Sequence, residues 1–309
     1  MSIFQITFQN VLLALIYMVP GFIVSKMGKI KSEHLSGLST VLIYICAPCM
    51  VMYSMMNLEL AKENLIRMGL FFVVSLTVQI AFLLILYGIL HKKYDDSKYR
   101  LTTICAIAGN VGFFGLPVVK AVMPDNPEVM CYSSIYVVTM NIIVFTVGVF
   151  CLTNNKKYMS LKSALINPSV FGFVCALILF FTKSSIWMPD IIENGINLVG
   201  GMTTPLCMMI LGMRLAMVEF KKLFERPTVY LVCFLKLVAF PLFAYACVYF
   251  LPLDSAFKSS VLLLSATPCA SVVFNLAEIH KSETELSANC VMLTTILCIV
   301  VLPILTLIL

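Results

Sequence analysis

Two stretches of the chain interrupt apolar runs with glycine, asparagine, proline, serine and threonine. Several of these residue types disrupt a helix. The first reads Cys105-Ala-Ile-Ala-Gly109-Asn110-Val-Gly112-Phe-Phe-Gly115-Leu-Pro117, and the second reads Ser265-Ala-Thr267-Pro268-Cys-Ala-Ser271. In a helix interior glycine costs about 1 kcal/mol and proline about 3 kcal/mol, and proline also removes a backbone donor. We therefore expect a helix to break in each stretch.

A broken helix inside a membrane could hold an anion without any ionised side chain. Its second half would begin with unpaired N–H groups and the positive end of the helix dipole. Pro117 and Pro268 suit a first helical turn, and Thr267 suits the N-cap. Two such ends that cross would attract a carboxylate, whereas the alternative is a pair of proline kinks used for packing. The candidate substrate-binding residues are Asn110, Gly112, Pro117, Thr267, Pro268 and Ser271, followed by Lys236 and Asn141.

The composition requires a membrane around these stretches. Of the 309 residues 61% are hydrophobic and 12% are charged, whereas a globular domain has roughly 45–50% apolar and about 25% charged residues. Because one membrane span needs about 20 mostly apolar residues, the chain can fill on the order of ten spans. This excludes nucleic-acid binding, secretion and a soluble α/β enzyme.

Hydrophobic runs separated by short charged segments predict an all-α membrane protein with ten transmembrane helices. The predicted spans are residues 7–25, 35–57, 65–90, 101–122, 129–152, 166–182, 192–213, 228–251, 257–279 and 286–309. Asn110 lies about nine residues into span 4, and Pro268 lies about ten residues into span 9. At about 1.5 Å per residue, both breaks fall near the middle of the bilayer.

The placement of the charges predicts an orientation. Of the 21 Lys and Arg residues, fifteen fall in loops after odd-numbered spans, five fall in the opposite set, and Lys236 lies inside span 8. Since cytoplasmic loops carry the excess of basic residues, both termini are predicted to be extracytoplasmic in the plasma (inner) membrane. The net charge of +6 is thus explained by topology.

The two halves of the chain share features that suggest an internal repeat. Aligning Pro48 of span 2 with Pro205 of span 7 sets an offset of 157 residues, which also aligns Gln79 with Lys236. Each half would hold five spans, an odd number, so the second half must be inverted in the membrane. The alternative is that two membrane-spanning halves share scattered prolines by chance. The predicted repeats are residues 1–155 and 156–309.

Mid-membrane charge is nearly absent from the sequence. No Asp or Glu lies near the centre of a predicted span, although transporters of cations and protons usually hold the ion on a buried carboxylate. Lys236 is the exception, about ten residues from the cytoplasmic end of its span and therefore too far to reach the surface easily. It could serve as a counter-charge, as a structural hydrogen-bond donor or as a direct substrate contact.

The motifs together resemble the auxin efflux carrier family, which includes plant auxin exporters and bacterial permeases for malate and malonate. The matching segments are Gly109–Pro117, Pro205–Leu215, Asn167-Pro168 and Leu235–Pro241. The resemblance implies a fold similar to bile-acid and sodium/proton transporters, with a scaffold domain and an elevator-type transport domain. It also implies that Asn110, Pro117 and Pro268 are site residues. Family members often carry Arg where this chain has Lys236, and lysine lacks the planar fork for bidentate carboxylate binding.

The leading hypothesis is a secondary active or facilitative transporter of a small organic anion such as a mono- or dicarboxylate. An anion channel or a membrane ligand sensor on the same fold is the alternative. We do not expect an enzyme, because Asp95-Asp96 is a lone acidic pair where prenyl-transfer sites need two clusters. The expected partners are the organic anion and the lipid bilayer, with a homodimer as a further expectation, and no nucleic acid, cofactor or metal is expected. Substrate identity, direction and ion coupling are left open.

Overall fold

The computed structural model describes residues 3–56, 58, 60–160, 162, 168–217 and 220–309. Within these ranges the regular secondary structure is helical, apart from one isolated β-bridge. Asn167 of the proposed family motif lies outside the described residues. The architecture agrees with the prediction of an all-α membrane protein.

The main helices follow one another with short connections. They are α1 (Ile3–Lys26), α2 (Glu33–Met56), α3 (Lys62–Lys93), α4 (Ser97–Cys105), α5 (Val111–Val122), α6 (Glu128–Thr153), α7 (Pro168–Phe181), α8 (Asp190–Met217), α9 (Pro227–Tyr249), α10 (Ser255–Ser265), α11 (Ser271–Ile279) and α12 (Thr284–Ile308). Short helical turns also occur at Lys156–Tyr158, Ser184–Trp187 and Phe220–Glu225.

Seven of the described helices are long and apolar enough to cross a membrane, namely α1, α2, α3, α6, α8, α9 and α12. They coincide with predicted spans 1, 2, 3, 5, 7, 8 and 10 to within four residues. Helix α7 lies at predicted span 6, and predicted spans 4 and 9 are each divided into two shorter helices. The two expected helix breaks are therefore confirmed. The count of ten membrane spans and the inverted repeat stay predictions.

Close helix pairs tie the two halves of the chain together. The most extensive contacts among the described helices join α1 to α8, α2 to α8 and α7 to α2. A Cβ added to Gly21 would lie 2.0 Å from the Met209 carbonyl oxygen, and one added to Gly212 would lie 2.0 Å from that of Met18. Because no side chain fits there, glycine at both positions lets the α1 and α8 backbones touch.

The helices that surround the two breaks bury the largest side chains of the protein. Tyr132 on α6 stacks on Phe71 of α3 with ring centroids 4.4 Å apart, and Phe71 meets Phe257 of α10 edge-on at 4.9 Å. All twelve cysteines are free thiols, and most are buried. This agrees with their expected use as small apolar side chains.

Candidate functional site

The two helix breaks lie against each other through their backbones. The Asn110 N–H donates to the Pro268 carbonyl at 2.7 Å, and the Ala270 N–H donates to the Ala108 carbonyl at 3.0 Å. These bonds form an antiparallel bridge centred on Gly109 and Cys269. These two bonds pair backbone groups that the broken helices would otherwise leave unsatisfied.

Glycine is required where the breaks approach each other. A Cβ on Gly109 would lie 2.3 Å from the Thr267 hydroxyl oxygen and 3.0 Å from the Lys236 ammonium. A Cβ on Gly115 would lie 2.8 Å from the Thr267 methyl carbon. The Cβ–oxygen distance of 2.3 Å and the Cβ–methyl distance of 2.8 Å are both shorter than ordinary van der Waals contact. Larger residues would therefore push the two breaks apart where they meet, a region that we call the crossing.

Lys236 joins the ends of the two helices that run into the crossing. From α9, its fully buried ammonium donates to the Ser265 carbonyl at 2.8 Å and to the Ile107 carbonyl at 3.3 Å. Ser265 is the last residue of α10, and Ile107 lies two residues after the end of α4, so both carbonyls lie at the negative ends of helix dipoles. Lys236 thus has the geometry of a structural hydrogen-bond donor whose positive charge balances the negative ends of the two helix dipoles.

The helices that leave the crossing, α5 and α11, begin without a side-chain cap. Their N-cap residues are Asn110 and Ala270, and neither caps its helix through its side chain. Helix α5 opens with a wide π-helical turn, Val111–Gly115, which is a local distortion frequent at functional sites. Two positive helix ends thus lie next to each other at one place in the protein.

A cavity of about 200 Å³ lies against these two helix ends, between them and helices α2, α6 and α8. Its polar lining residues are Ser39, Asn110, Asn141, Arg214, Ser271 and Asn275. Apolar side chains such as Met50, Val137 and Phe145 form the remaining walls. The enclosure suits a small solute with a polar end and a hydrocarbon body.

Two polar atoms in this lining have no hydrogen-bond partner within the described chain. They are the Asn110 amide nitrogen Nδ2 and the Ser271 hydroxyl oxygen, and both atoms are buried. Asn110 as a whole is only 4% exposed, and its amide faces the thiol of Cys207, which is a weak acceptor. Since buried polar groups are nearly always paired, these two atoms are candidate contacts for a ligand in the cavity.

A larger cavity of about 740 Å³ opens onto the central one, and we call it the open vestibule. The residues that line both cavities are Ser39, Ile43, Leu211, Arg214, Ser271 and Asn275. Glu278 and Glu285 line only the vestibule, on the face that the charge pattern predicts to be cytoplasmic. The open vestibule therefore adjoins the central cavity on one side of the two helix ends.

The sequence profile described as a membrane transport protein matches residues 6–163 and 153–306, which together cover nearly the whole chain. The chain belongs to the membrane transport protein family. This confirms the resemblance to the auxin efflux carrier family. It also agrees with a multi-pass membrane protein that acts as a transporter.

Two archaeal relatives extend over almost the full length of the chain. An uncharacterized transporter of Methanocaldococcus jannaschii is 23% identical over 289 residues, which cover 92% of this chain and 93% of the relative. An uncharacterized transporter of Methanothermobacter thermautotrophicus is 25% identical over 309 residues, which cover 97% and 98%. The similarity therefore spans both helix breaks.

In this membrane transport protein, the structure separates the predicted site residues into two groups. Asn110, Gly112, Asn141 and Ser271 line the central cavity. Pro117, Thr267, Pro268 and Lys236 are not among its described lining residues, and substrate contact at these four positions stays a prediction. The second group holds the crossing together instead of facing the cavity, apart from Pro117, which lies further along α5.

The N-cap prediction for Thr267 is wrong. Its hydroxyl donates backwards to the Leu264 carbonyl at 2.8 Å, and α11 begins only at Ser271. The helix starts later because the Pro268 carbonyl and the Ala270 N–H are hydrogen-bonded to the other break, which keeps this backbone segment extended. Pro268 consequently lies in the break and outside the first helical turn, whereas Pro117 does lie in the first turn of the regular α-helical segment Leu116–Val122.

Arg214 is a cavity residue of this transport protein that the sequence reasoning missed. Counted as a loop charge, it lies inside α8, its guanidinium 4.6 Å from the centre of the Phe274 ring and 3.5 Å from the Asn275 amide oxygen. The signal was present, because Arg214 continues the apolar run that includes Leu211 and is followed by Leu215. Predicted span 7 ends at residue 213, one residue before Arg214.

Proposed function

We propose that this member of the membrane transport protein family is a secondary active or facilitative transporter of a small organic anion, such as a mono- or dicarboxylate. The observation that carries the proposal is the buried, unpartnered amide nitrogen of Asn110 beside the N-terminal ends of α5 and α11. An amide N–H and two helix ends all present positive charge density. An oxyanion satisfies them together.

The charge of the cavity supports an anion over a cation. Arg214 is the one cation among the described residues that line the central cavity, and no Asp or Glu is among them. Its guanidinium has only a long contact with Asn275, so its donors are available to a carboxylate. In the central cavity, a cation would meet Arg214 and the two positive helix ends, without a carboxylate to balance them.

We further propose that the fold is a ten-span inverted repeat of residues 1–155 and 156–309 that works as an elevator. The helix pairs support this idea, since the repeat exchanges α1 with α7 and α8 with α2, and α1–α8 and α7–α2 are both extensive contacts. These four helices would form the scaffold, and the helices around the crossing would form the moving domain. The basic loops support extracytoplasmic termini in the plasma membrane, and a homodimer stays a prediction.

Flux measurements test the proposal directly. A thermal-shift screen of carboxylic acids on the purified protein selects candidates, and their uptake into proteoliposomes is then measured. We expect saturable flux of at least one mono- or dicarboxylate. The variant Asn110→Ala should lower kcat/KM by about tenfold or more, because a charge-assisted hydrogen bond is lost. Asn155→Ala, on an exposed loop, is the matched control and should leave flux unchanged.

Three results would count against this function. Absence of saturable flux for every carboxylate tested, or unchanged flux in Asn110→Ala, would contradict it. Flux that fails to saturate, together with single-channel conductance, would favour an anion channel on the same fold. Specific binding with no flux at all would favour a ligand sensor.

A further inference from the structure

A third cavity, of about 270 Å³, lies at the opposite end of α2 and α8, and we call it the closed vestibule. Its lining includes Asn10, Tyr53, Pro117, Lys120, Asn197 and Thr204. These residues lie near the C-terminal ends of α2 and α5 and the N-terminal parts of α1 and α8. The charge pattern places this end on the extracytoplasmic face.

The offset of 157 residues converts the lining of the open vestibule into that of the closed one. Thr40, Ile43 and Tyr44 line the open vestibule, and Asn197, Gly200 and Gly201 line the closed vestibule at the aligned positions. Ser271, Phe274 and Asn275 correspond in the same way to Phe114, Pro117 and Val118. The two cavities therefore occupy equivalent places in the two halves of the chain.

The two vestibules differ in their connection to the central cavity. The open vestibule shares six lining residues with it, whereas among the described residues Met50 alone is common to the closed vestibule and the central cavity. Helix α8 packs on Met50 there, since a Cβ on Gly200 would lie 2.8 Å from the Met50 Cα. Contact between α2 and α8 thus separates the closed vestibule from the central cavity.

Each vestibule carries one cation held over an aromatic ring. In the open vestibule Arg214 stacks on Phe274, and in the closed vestibule the Lys120 ammonium lies 6.0 Å from the centre of the Tyr53 ring. Lys120 is the only charged residue among the described residues that line the closed vestibule. It also lies on α5, ten residues after Asn110, or about 15 Å along the helix.

We propose that the closed vestibule is the second entrance of the transporter and that Lys120 captures the substrate carboxylate there. The inference rests on the proposed function, because it takes the substrate to be a small organic anion. Lys120 meets the anion at the extracytoplasmic end of α5, and Asn110 binds it at the other end of the same helix. Passage between them requires the moving domain, which carries α5, to slide along the packed α2 and α8 helices until Asn110 faces the closed vestibule, while the open vestibule closes on the other side.

Flux measured separately from the two faces tests this assignment. Proteoliposomes of uniform orientation, verified by protease access to a terminal tag, receive the transported carboxylate on one face at a time. Lys120→Gln should raise KM about tenfold from the Lys120 face and change KM from the Arg214 face less than about twofold, since one charged contact is lost on one side. Lys120→Arg should restore most of the affinity.

Lys62→Gln is the matched control, because Lys62 is exposed on the same face and is not among the described lining residues of the vestibule. It should leave both KM values unchanged. An equal KM shift from both faces, or no shift from either, would overturn the inference while wild-type flux persists. If the Lys120→Gln protein does not fold, Tyr53→Leu serves instead, and an unchanged KM from its face would overturn the inference. A wild type without saturable flux would overturn the proposed function and this inference together.

Discussion

Asn110 and Pro268 are joined by a 2.7 Å hydrogen bond between two breaks that lie more than 150 residues apart in the chain. The bond uses the backbone N–H of Asn110 and leaves its side-chain amide free to face the cavity. It also holds Pro268 extended, so that α11 begins at Ser271. One backbone contact thus determines which polar atoms of the crossing are available to a ligand.

The close approach at Gly109 predicts a large effect of a single methyl group. Gly109→Ala places a Cβ 2.3 Å from the Thr267 hydroxyl oxygen, and overpacking of this kind costs about 1–3 kcal/mol. We expect a clearly lower Tm in detergent and reduced flux. Gly195→Ala is the control, because no atom lies within 4 Å of its added Cβ, and its Tm should stay level or rise slightly. Equal Tm values for the two variants would contradict the crossing geometry.

The contacts of Lys236 predict that its loss affects stability more than substrate affinity. Lys236→Met keeps the length of the side chain but leaves the Ser265 and Ile107 carbonyls without this donor, at a cost of about 1–3 kcal/mol. Thermal unfolding should occur at lower temperature, while KM of the folded fraction should change less than about twofold. A large rise in KM at unchanged Tm would instead establish Lys236 as a substrate contact.

Lys258 supplies the matched comparison for Lys236. It also donates to a backbone carbonyl, that of Tyr249 at 2.9 Å, but this bond is exposed. Because water replaces the lost donor at the surface, Lys258→Met should shift Tm far less than Lys236→Met. Similar shifts in the two variants would show that burial of the Lys236 bonds is unimportant.

Arg214 predicts a graded loss of carboxylate affinity. Arg214→Gln removes the cation of the central cavity and should raise KM about tenfold, whereas Arg214→Lys keeps the charge and should have a smaller effect. Arg67→Gln is the control, since Arg67 pairs with Asp254 at 2.9 Å and is not among the described lining residues of the central cavity or of either vestibule. Measured uptake of a neutral analogue should be insensitive to Arg214→Gln. If KM for the carboxylate is also unchanged, Arg214 has no part in binding.

Two serines of the second stretch, Ser265 and Ser271, predict opposite outcomes. Ser271→Ala removes an unpartnered hydroxyl beside the cavity and should weaken carboxylate binding without lowering Tm. Ser265→Ala removes a hydroxyl that donates to the Val261 carbonyl at 2.7 Å and faces no cavity, so it should leave KM unchanged. The comparison uses uptake at several substrate concentrations. Weaker binding in Ser265→Ala alone would reverse the assignment.

The fold was more predictable from sequence than the site. Helix breaks near Gly109 and Pro268 follow from local backbone costs, and each is present at its predicted place. The predicted N-cap role of Thr267 is wrong, because the direction of its hydroxyl depends on contacts with the other break. Arg214 was not predicted as a site residue, because the sequence does not show whether a charged residue near the end of a span faces water or a cavity.

By itself, the sequence determined that the chain is a multi-pass membrane protein of the membrane transport protein family, with two interrupted helices and few buried charges. These properties depend on the composition of the chain and on residues that are neighbours in sequence, so they do not require tertiary contacts. Only the tertiary structure decided that Lys236 faces helix C-termini while Asn110 and Ser271 face the cavity. Which polar atom stays unpaired is decided by groups far apart in the chain, since a donor is satisfied or left free only when its distant partner is in place.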